Sequence, residues 1–293
     1  MRNSRREFLK SAACVGTAAL LPSGLMADAL SKPSRMRFGL CTYLWGKDWD
    51  VPTLIRNCEK TALLGVELRV EHAHKVEPNL PAAQRAEVKR QFADSRVTLV
   101  GCGTNEQYDF PDPERLKQSI ENTKAYIKLS HDCGGSGVKV KPNGFHAGIP
   151  HEKTIEQIGR SLNEVGKFAE DYGQQIRLEV HGTETQELPN IRAVMDVATD
   201  KNVTVCWNSN DEDLLGEGLE YNFNLVKDRF GDTVHVRELT IGDYPYQQLF
   251  NLFVGMKYKG WILLEARTQP DDLIAALTEQ RKVFDEMVGA ALG

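Results

Sequence analysis

The sequence has no C-x-x-C pair among its six cysteines. That absence removes the common zinc-ribbon and thioredoxin-like motifs. Cys14 stands apart near the N-terminus. The other five, Cys41, Cys58, Cys102, Cys133 and Cys206, form an odd set that argues against a disulfide framework and reads as small buried side chains. No sign of charge dominates either: 36 basic residues face 41 acidic ones, a formal net charge of -5. A mildly acidic chain carries no electrostatic footprint for nucleic acid or an anionic membrane. A Gly-rich dinucleotide fingerprint is missing, and no low-complexity tract or linker breaks the chain after its N-terminal segment.

What is present begins with a basic N-terminus. Ser4-Arg5-Arg6-Glu7-Phe8-Leu9-Lys10 precedes a short apolar stretch over residues 11–21, and Ala27-Asp28-Ala29 has the form of a cleavage site. Paired arginines mark a twin-arginine signal. The stretch falls well short of the ~20 residues that span a bilayer. The expectation is a signal peptide over residues 1–29, export to the periplasm or another extracytoplasmic space, and no membrane span. Signals of this kind carry folded cargo, so a metal would be loaded in the cytoplasm, where its supply is controlled.

After the signal, short strand-like runs alternate with helix-like stretches eight times. The strand candidates are residues 36–43, 66–71, 97–102, 137–141, 176–181, 203–208, 234–239 and 261–266. Amphipathic segments lie between them, among them 51–64, 114–133, 152–172 and 271–288. Gly65, Gly134, Gly173, Gly231 and Gly260 stand where helices should end. Such alternation means parallel strands joined by helical crossovers. Eight units without a dinucleotide fingerprint predict an α/β fold, a single (βα)8 barrel over residues 36–288.

Strand parity then points at a site. In Ile176-Arg177-Leu178-Glu179-Val180-His181 the apolar residues share one face and the polar ones the other. Helices cover the outside of a barrel, so the polar set points inward. The same rule sends Lys139, Lys141, Cys206, Asn208, His235, Arg237, Glu265 and Arg267 inward, together with Glu67, Arg69 and Glu71. These lie near C-terminal strand ends, the catalytic face of this architecture. For Glu67 and Arg69 an ion network that fills the barrel is the preferred reading. Glu179, Asn208, His235 and Glu265 bring two carboxylates, an amide and an imidazole to one place. The carboxylates repel unless a cation joins them. Oxygen and nitrogen donors without thiolate suit Mn, Co, Mg or Zn.

The signature Leu178-Glu179-Val180-His181-Gly182, then His235-Val236-Arg237-Glu238, then Leu264-Glu265-Ala266 resembles the xylose isomerase-like barrel superfamily of sugar isomerases and epimerases. The resemblance spans roughly residues 36–288. It implies a divalent metal on Glu179, His235, Glu265 and the strand-six position, with Glu179 and Glu265 shuttling a proton between adjacent carbons of a sugar. The sixth strand departs from the pattern. Asn208 stands where the family has Asp, which leaves three alternatives: a weakened site, substitution by Asp211 from the loop, or no metal.

Further candidates surround this set. His181 suits a catalytic or hydrogen-bonding role near neutral pH. Lys139 and Lys141 suit a substrate carbonyl or a carboxylate, and His72, Arg237 and Arg267 suit substrate binding. His146 suits a lid. Trp45, Trp207 and Tyr108 suit either sugar stacking or the core. His131 and His151 read as surface residues. Residues 221–228 and 246–253 offer apolar faces for helix-to-barrel packing or for an oligomer. The sequence therefore predicts a secreted sugar isomerase or epimerase. Its rivals are a lyase, dehydratase or hydratase on a keto-sugar or keto-glycoside, and a metal-free sugar-binding barrel. A DNA-repair barrel of the endonuclease IV type is disfavoured by export and by charge.

Overall fold

Eight parallel strands form the sheet of a computed structural model that describes residues 36–293. The expected signal at residues 1–29 lies outside the described residues. The strands are β1 (Arg37–Cys41), β2 (Gly65–Arg69), β3 (Thr98–Gln107), β4 (Gly137–Lys141), β5 (Gln175–Glu179), β6 (Val203–Cys206), β7 (Thr233–Val236) and β8 (Trp261–Leu264). Their order is β6-β5-β4-β3-β2-β1-β8-β7. The remaining gap, between β6 and β7, is closed by backbone bonds: His235 N–H donates to the Trp207 carbonyl at 2.7 Å and Gly231 N–H to the Val205 carbonyl at 3.0 Å. The expected (βα)8 barrel is the fold. Its last closing contact, a parallel bridge between Asn208 and His235, falls inside the predicted site.

Eight helices form the outer layer: α1 (Val51–Thr61), α2 (Ala82–Ala93), α3 (Pro113–Cys133), α4 (His151–Glu170), α5 (Leu188–Val197), α6 (Leu219–Val226), α7 (Tyr246–Gly255) and α8 (Leu273–Leu292). Their starts are chemically marked. Asp50 caps α1 by accepting from Thr53 N–H, Asp112 caps α3 at Glu114, and Asp272 caps α8 at Ile274 and Ala275. In α1, Val51, Leu54, Ile55 and Cys58 repeat at helical spacing and are buried against the barrel. Each fully buried apolar side chain of this size contributes about 1.5–3 kcal/mol. The apolar faces of α6 (Leu219, Phe223, Val226) and α7 (Leu249, Phe250, Phe253) pack inward, so helix-to-barrel packing accounts for both.

Several expectations need correction. Strands end earlier than the apolar runs suggested. β2 stops at Arg69, and Glu71 turns out of the barrel, exposed, with a left-handed φ of 62°. Of the five glycines expected at helix ends, Gly134 and Gly173 have left-handed backbone. The α1 end is instead turned by Ala62 at φ 57°. Gly65 opens β2, where a Cβ would run into the Trp261 ring. Tyr108 and Trp207 are fully buried: Tyr108 bonds Thr123 at 2.8 Å, and Trp207 packs against Phe223 and Phe230. Neither ring is open to a sugar face. All five described cysteines are free and buried, as expected.

Candidate active site

The site is assembled at the C-terminal ends of the strands, from the face that parity predicted. Glu179 ends β5, His235 lies in β7, and Asn208 and Glu265 stand just beyond β6 and β8. All four are nearly or wholly inaccessible, with Glu265 the most open at 6%. One donor atom each from Glu179, His235 and Glu265 lies within 4.8 Å of the other two. Asn208 Nδ2 donates to Glu179 Oε1 at 3.1 Å, which turns its Oδ1 away, buried and without a hydrogen-bond partner. His235 Nδ1 is likewise buried and unpartnered, 3.6 Å from Glu179 Oε1 and too long for a hydrogen bond.

The other imidazole nitrogen is taken. His235 Nε2 lies 3.1 Å from Glu67 Oε1, with both side chains fully buried. Burial works against a charged His235, but Cys206 and Glu67 outweigh it and raise the imidazole well above its usual range; Glu67 orients the ring so that Nδ1 faces the cluster, where a metal would replace its proton. The sequence reading placed Glu67 in a space-filling network; in the structure it orients a site residue. Burial raises the Glu67 carboxyl, but His235, Lys139 and Arg177 outweigh it and hold the carboxyl at about 2. Cys41 was read only as a buried side chain. Its thiol stands 3.6 Å from Glu67 Oε1 and 3.9 Å from Glu265 Oε1. Burial, with Glu67 beside it, pushes that thiol well up, so it stays neutral. Only its inward parity on β1 signalled this place.

Lys139 is the other cation of the centre. Its Nζ lies 2.6 Å from Glu179 Oε2, with side-chain exposures of 0% and 2%. Burial works against a charged Glu179, yet the Lys139 ammonium, with His235 and His181, keeps its carboxyl well below the usual range. Lys141, two residues on, is half-buried and reaches Asn105 Oδ1 at 3.3 Å. Burial and the charge of Lys139 lower it to about 8. His181 is half-buried, and burial drives it down to about 4, so its imidazole is neutral at pH 7.

The remaining candidates lie further out. Arg69 binds backbone carbonyls of Gly103 and Thr104 and the side chain of Asn105, so β3 and not a carboxylate is its partner. Arg237 reaches Asn210 Oδ1 at 3.2 Å, while Arg267 is exposed. His72 stands in the turn after β2, its ring 6.0 Å from that of His74. Asp211 is exposed and outside the ligand cluster. The buried acid of that loop is Asp213, which accepts from Asn210 N–H and from the Tyr244 hydroxyl at 2.6 Å. His146 pairs with Asp109 at 3.0 Å. Trp45 donates to the Thr268 carbonyl at 2.9 Å and lines a cavity of about 240 Å³ with Leu44, Lys47 and Leu273, between the segments that leave β1 and β8.

The donors fit a divalent cation. Two buried carboxylates and a buried imidazole nitrogen without a hydrogen-bond partner offer hard and borderline ligands within one cluster, and Asn208 adjoins it through the bond of its Nδ2 to Glu179. A cation held there would polarise a carbonyl and stabilise negative charge on its oxygen.

Comparison with known proteins follows the same line. Residues 55–286 match the family described as the xylose isomerase-like TIM barrel. A search of curated proteins finds no match. Among solved structures, a 3-keto-D-glucoside 4-epimerase from E. coli is similar at TM-score 0.73 and 14% identity, over 86% of this chain and 99% of that one. An L-ribulose 3-epimerase is similar at TM-score 0.75 and 14% identity, over 87% and 95%. The IOLI protein with a bound zinc atom is similar at TM-score 0.73 and 13% identity, over 87% and 99%. Identities this low speak for the fold.

Proposed function

Because this chain belongs to the xylose isomerase-like TIM barrel family, we propose that it is a sugar isomerase or epimerase that removes a proton next to a carbonyl. The observation that carries this reading is the buried cluster of Glu179, His235 and Glu265, with the Asn208 amide bonded to Glu179. Those four side chains would hold a divalent cation, Mn, Co, Mg or Zn, that stabilises the enolate charge. A carboxylate takes the proton from carbon, and general acid–base transfer of this kind contributes about 10²–10⁴-fold. His181, neutral at pH 7, and Lys141 would serve as hydrogen-bonding groups for the sugar, and His72, Arg237 and Arg267 would add further substrate contacts. Similar structures carry keto-sugar names, including a 3-keto-D-glucoside and L-ribulose, and we extend that substrate class to this chain.

The test is isomerisation of L-ribulose, D-allulose and 3-keto-D-glucose by the metal-loaded protein, beside Glu179→Gln and Glu265→Gln. Turnover of at least one sugar, lost by at least about 10²-fold in both variants with an unchanged circular dichroism spectrum, is the expected result. Full activity in Glu265→Gln contradicts the reading. The N-terminal segment extends the proposal to export, tested by fractionation of cells that carry Arg5→Lys and Arg6→Lys.

A further inference from the structure

We propose that the substrate is an anionic sugar, a keto-sugar acid, whose carboxylate is held by Arg69 and Lys141 at the ends of β2 and β4. This rests on the reading that the site abstracts a proton next to a carbonyl. It deepens that reading by naming the substrate class and the two residues that select it.

The mouth of the barrel is divided in charge. Glu179, His235 and Glu265 come from β5, β7 and the end of β8. On the other half, Arg69 and Lys141 have only neutral oxygens as partners. Arg69 is 7% exposed. Its Nη1 donates to the Gly103 and Thr104 carbonyls at 2.7 and 3.0 Å, and its Nη2 to Asn105 Oδ1 at 2.8 Å. A guanidinium carries five N–H groups, so these three bonds leave one N–H on Nη2 and the one on Nε, which is buried without a partner. Lys141 Nζ reaches the same Asn105 Oδ1 at 3.3 Å. Two cations therefore converge on one neutral oxygen. Buried Arg and Lys are normally paired with an acid. Like charges this close repel, and an anion set between them removes that repulsion.

The donors that remain suit a carboxylate. Arg69 Nη2 and Lys141 Nζ meet at Asn105 Oδ1, and a planar group with two oxygens takes one N–H from each. A phosphate has a third oxygen that this pair does not meet. Asn105 is exposed, so its amide turns aside without disturbing the core. The layout also orients the sugar. Its carbonyl and the carbon that loses a proton lie over the cluster of β5 to β8, and its acid end lies over β2 and β4. A six-carbon 2-keto-sugar with a carboxylate at C6 meets both demands, with the reacting carbons at one end and the charge at the other. The carboxylate takes no part in bond making or breaking; it anchors the chain.

The experiment is isothermal titration of D-fructuronate, D-fructose 6-phosphate and D-fructose into the metal-loaded protein. All three share the C2 ketone and differ at C6. Fructuronate should bind at least about tenfold more tightly than fructose, the gain expected from hydrogen bonds to a charged group. Lys141→Met should remove most of that preference and Lys141→Arg should keep it, with an unchanged circular dichroism spectrum in both. Equal affinity for fructuronate and fructose overturns the proposal, and so does a preference for fructose 6-phosphate. A folded Lys141→Met that keeps the full preference overturns it as well; if that variant does not fold, the wild-type comparison decides. Proton exchange next to the carbonyl in D2O, followed on the same three sugars, separates the two readings. Exchange without a preference for the acid leaves proton abstraction standing and removes the anion site. Preference for the acid without exchange does the reverse.

Discussion

At the scale of single residues, the account turns on which atoms of each side chain are already taken. His235 gives one nitrogen to Glu67 and keeps the other for the cluster. Glu67→Gln should therefore weaken metal binding by about 10–100-fold, the usual effect of losing a partner behind a metal ligand, as read by isothermal titration with Mn²⁺. Asn208→Asp should act in the opposite direction and tighten it, because it adds a charge beside the cation. Unchanged affinity in both variants would remove these residues from the metal site. Parity along β5 and β7 made Glu179 and His235 legible in the sequence. The partner of Glu67 was not legible. Strand alternation says that a side chain points inward, but not which of several inward groups it meets across the barrel. Lys139 shows the same limit: its inward direction follows from β4, while its 2.6 Å pairing with Glu179 depends on the stagger between neighbouring strands.

At the scale of elements, strand ends and loops decide the rest. Apolar runs outlast the strands, so the sequence extended β2 to Glu71, where the backbone has already turned to φ 62°. Loop geometry hides from periodicity: Asp211, offered as a substitute for the strand-six ligand, is exposed, and Asp213 is the acid that this loop buries. The loop after β6 makes a pH prediction. Burial raises Asp213 to about 8, against an ordinary carboxyl near 3.8. The folded state then holds a proton that the unfolded chain has released. This contribution to stability is complete below about pH 4 and is lost as pH rises toward 8. Thermal melting of wild type from pH 5 to 8 should fall more steeply than that of Asp213→Asn, and parallel curves would contradict the assignment. Exposed helix pairs such as Arg90–Glu87 and Arg160–Glu156 are screened by solvent, so their removal should leave melting nearly unchanged.

At the scale of the whole molecule, the eightfold rhythm of strand and helix was enough to read the barrel. Each unit repeats one local pattern, and closure follows from the count. Among the described residues no helix is long and apolar enough to cross a membrane. The cluster joins strands that are distant in sequence, since Glu179, His235 and Glu265 come from β5, β7 and the end of β8. A cation held there ties together the arc that closes the barrel. Saturating Mn²⁺ should raise the melting temperature, by a stabilisation of about 2.7 kcal/mol at a hundred times Kd, and Glu179→Gln should lose the rise.

The most direct test of the central claim is hydrogen exchange at carbon. Metal-loaded protein is incubated with 3-keto-D-glucose in D2O and followed by proton NMR, beside Glu265→Gln. Loss of the signal of the proton next to the carbonyl at an enzyme-dependent rate, reduced by at least about 10²-fold in Glu265→Gln, is what the account predicts. Exchange at the same rate in wild type and Glu265→Gln, or none above the protein-free control, would contradict it.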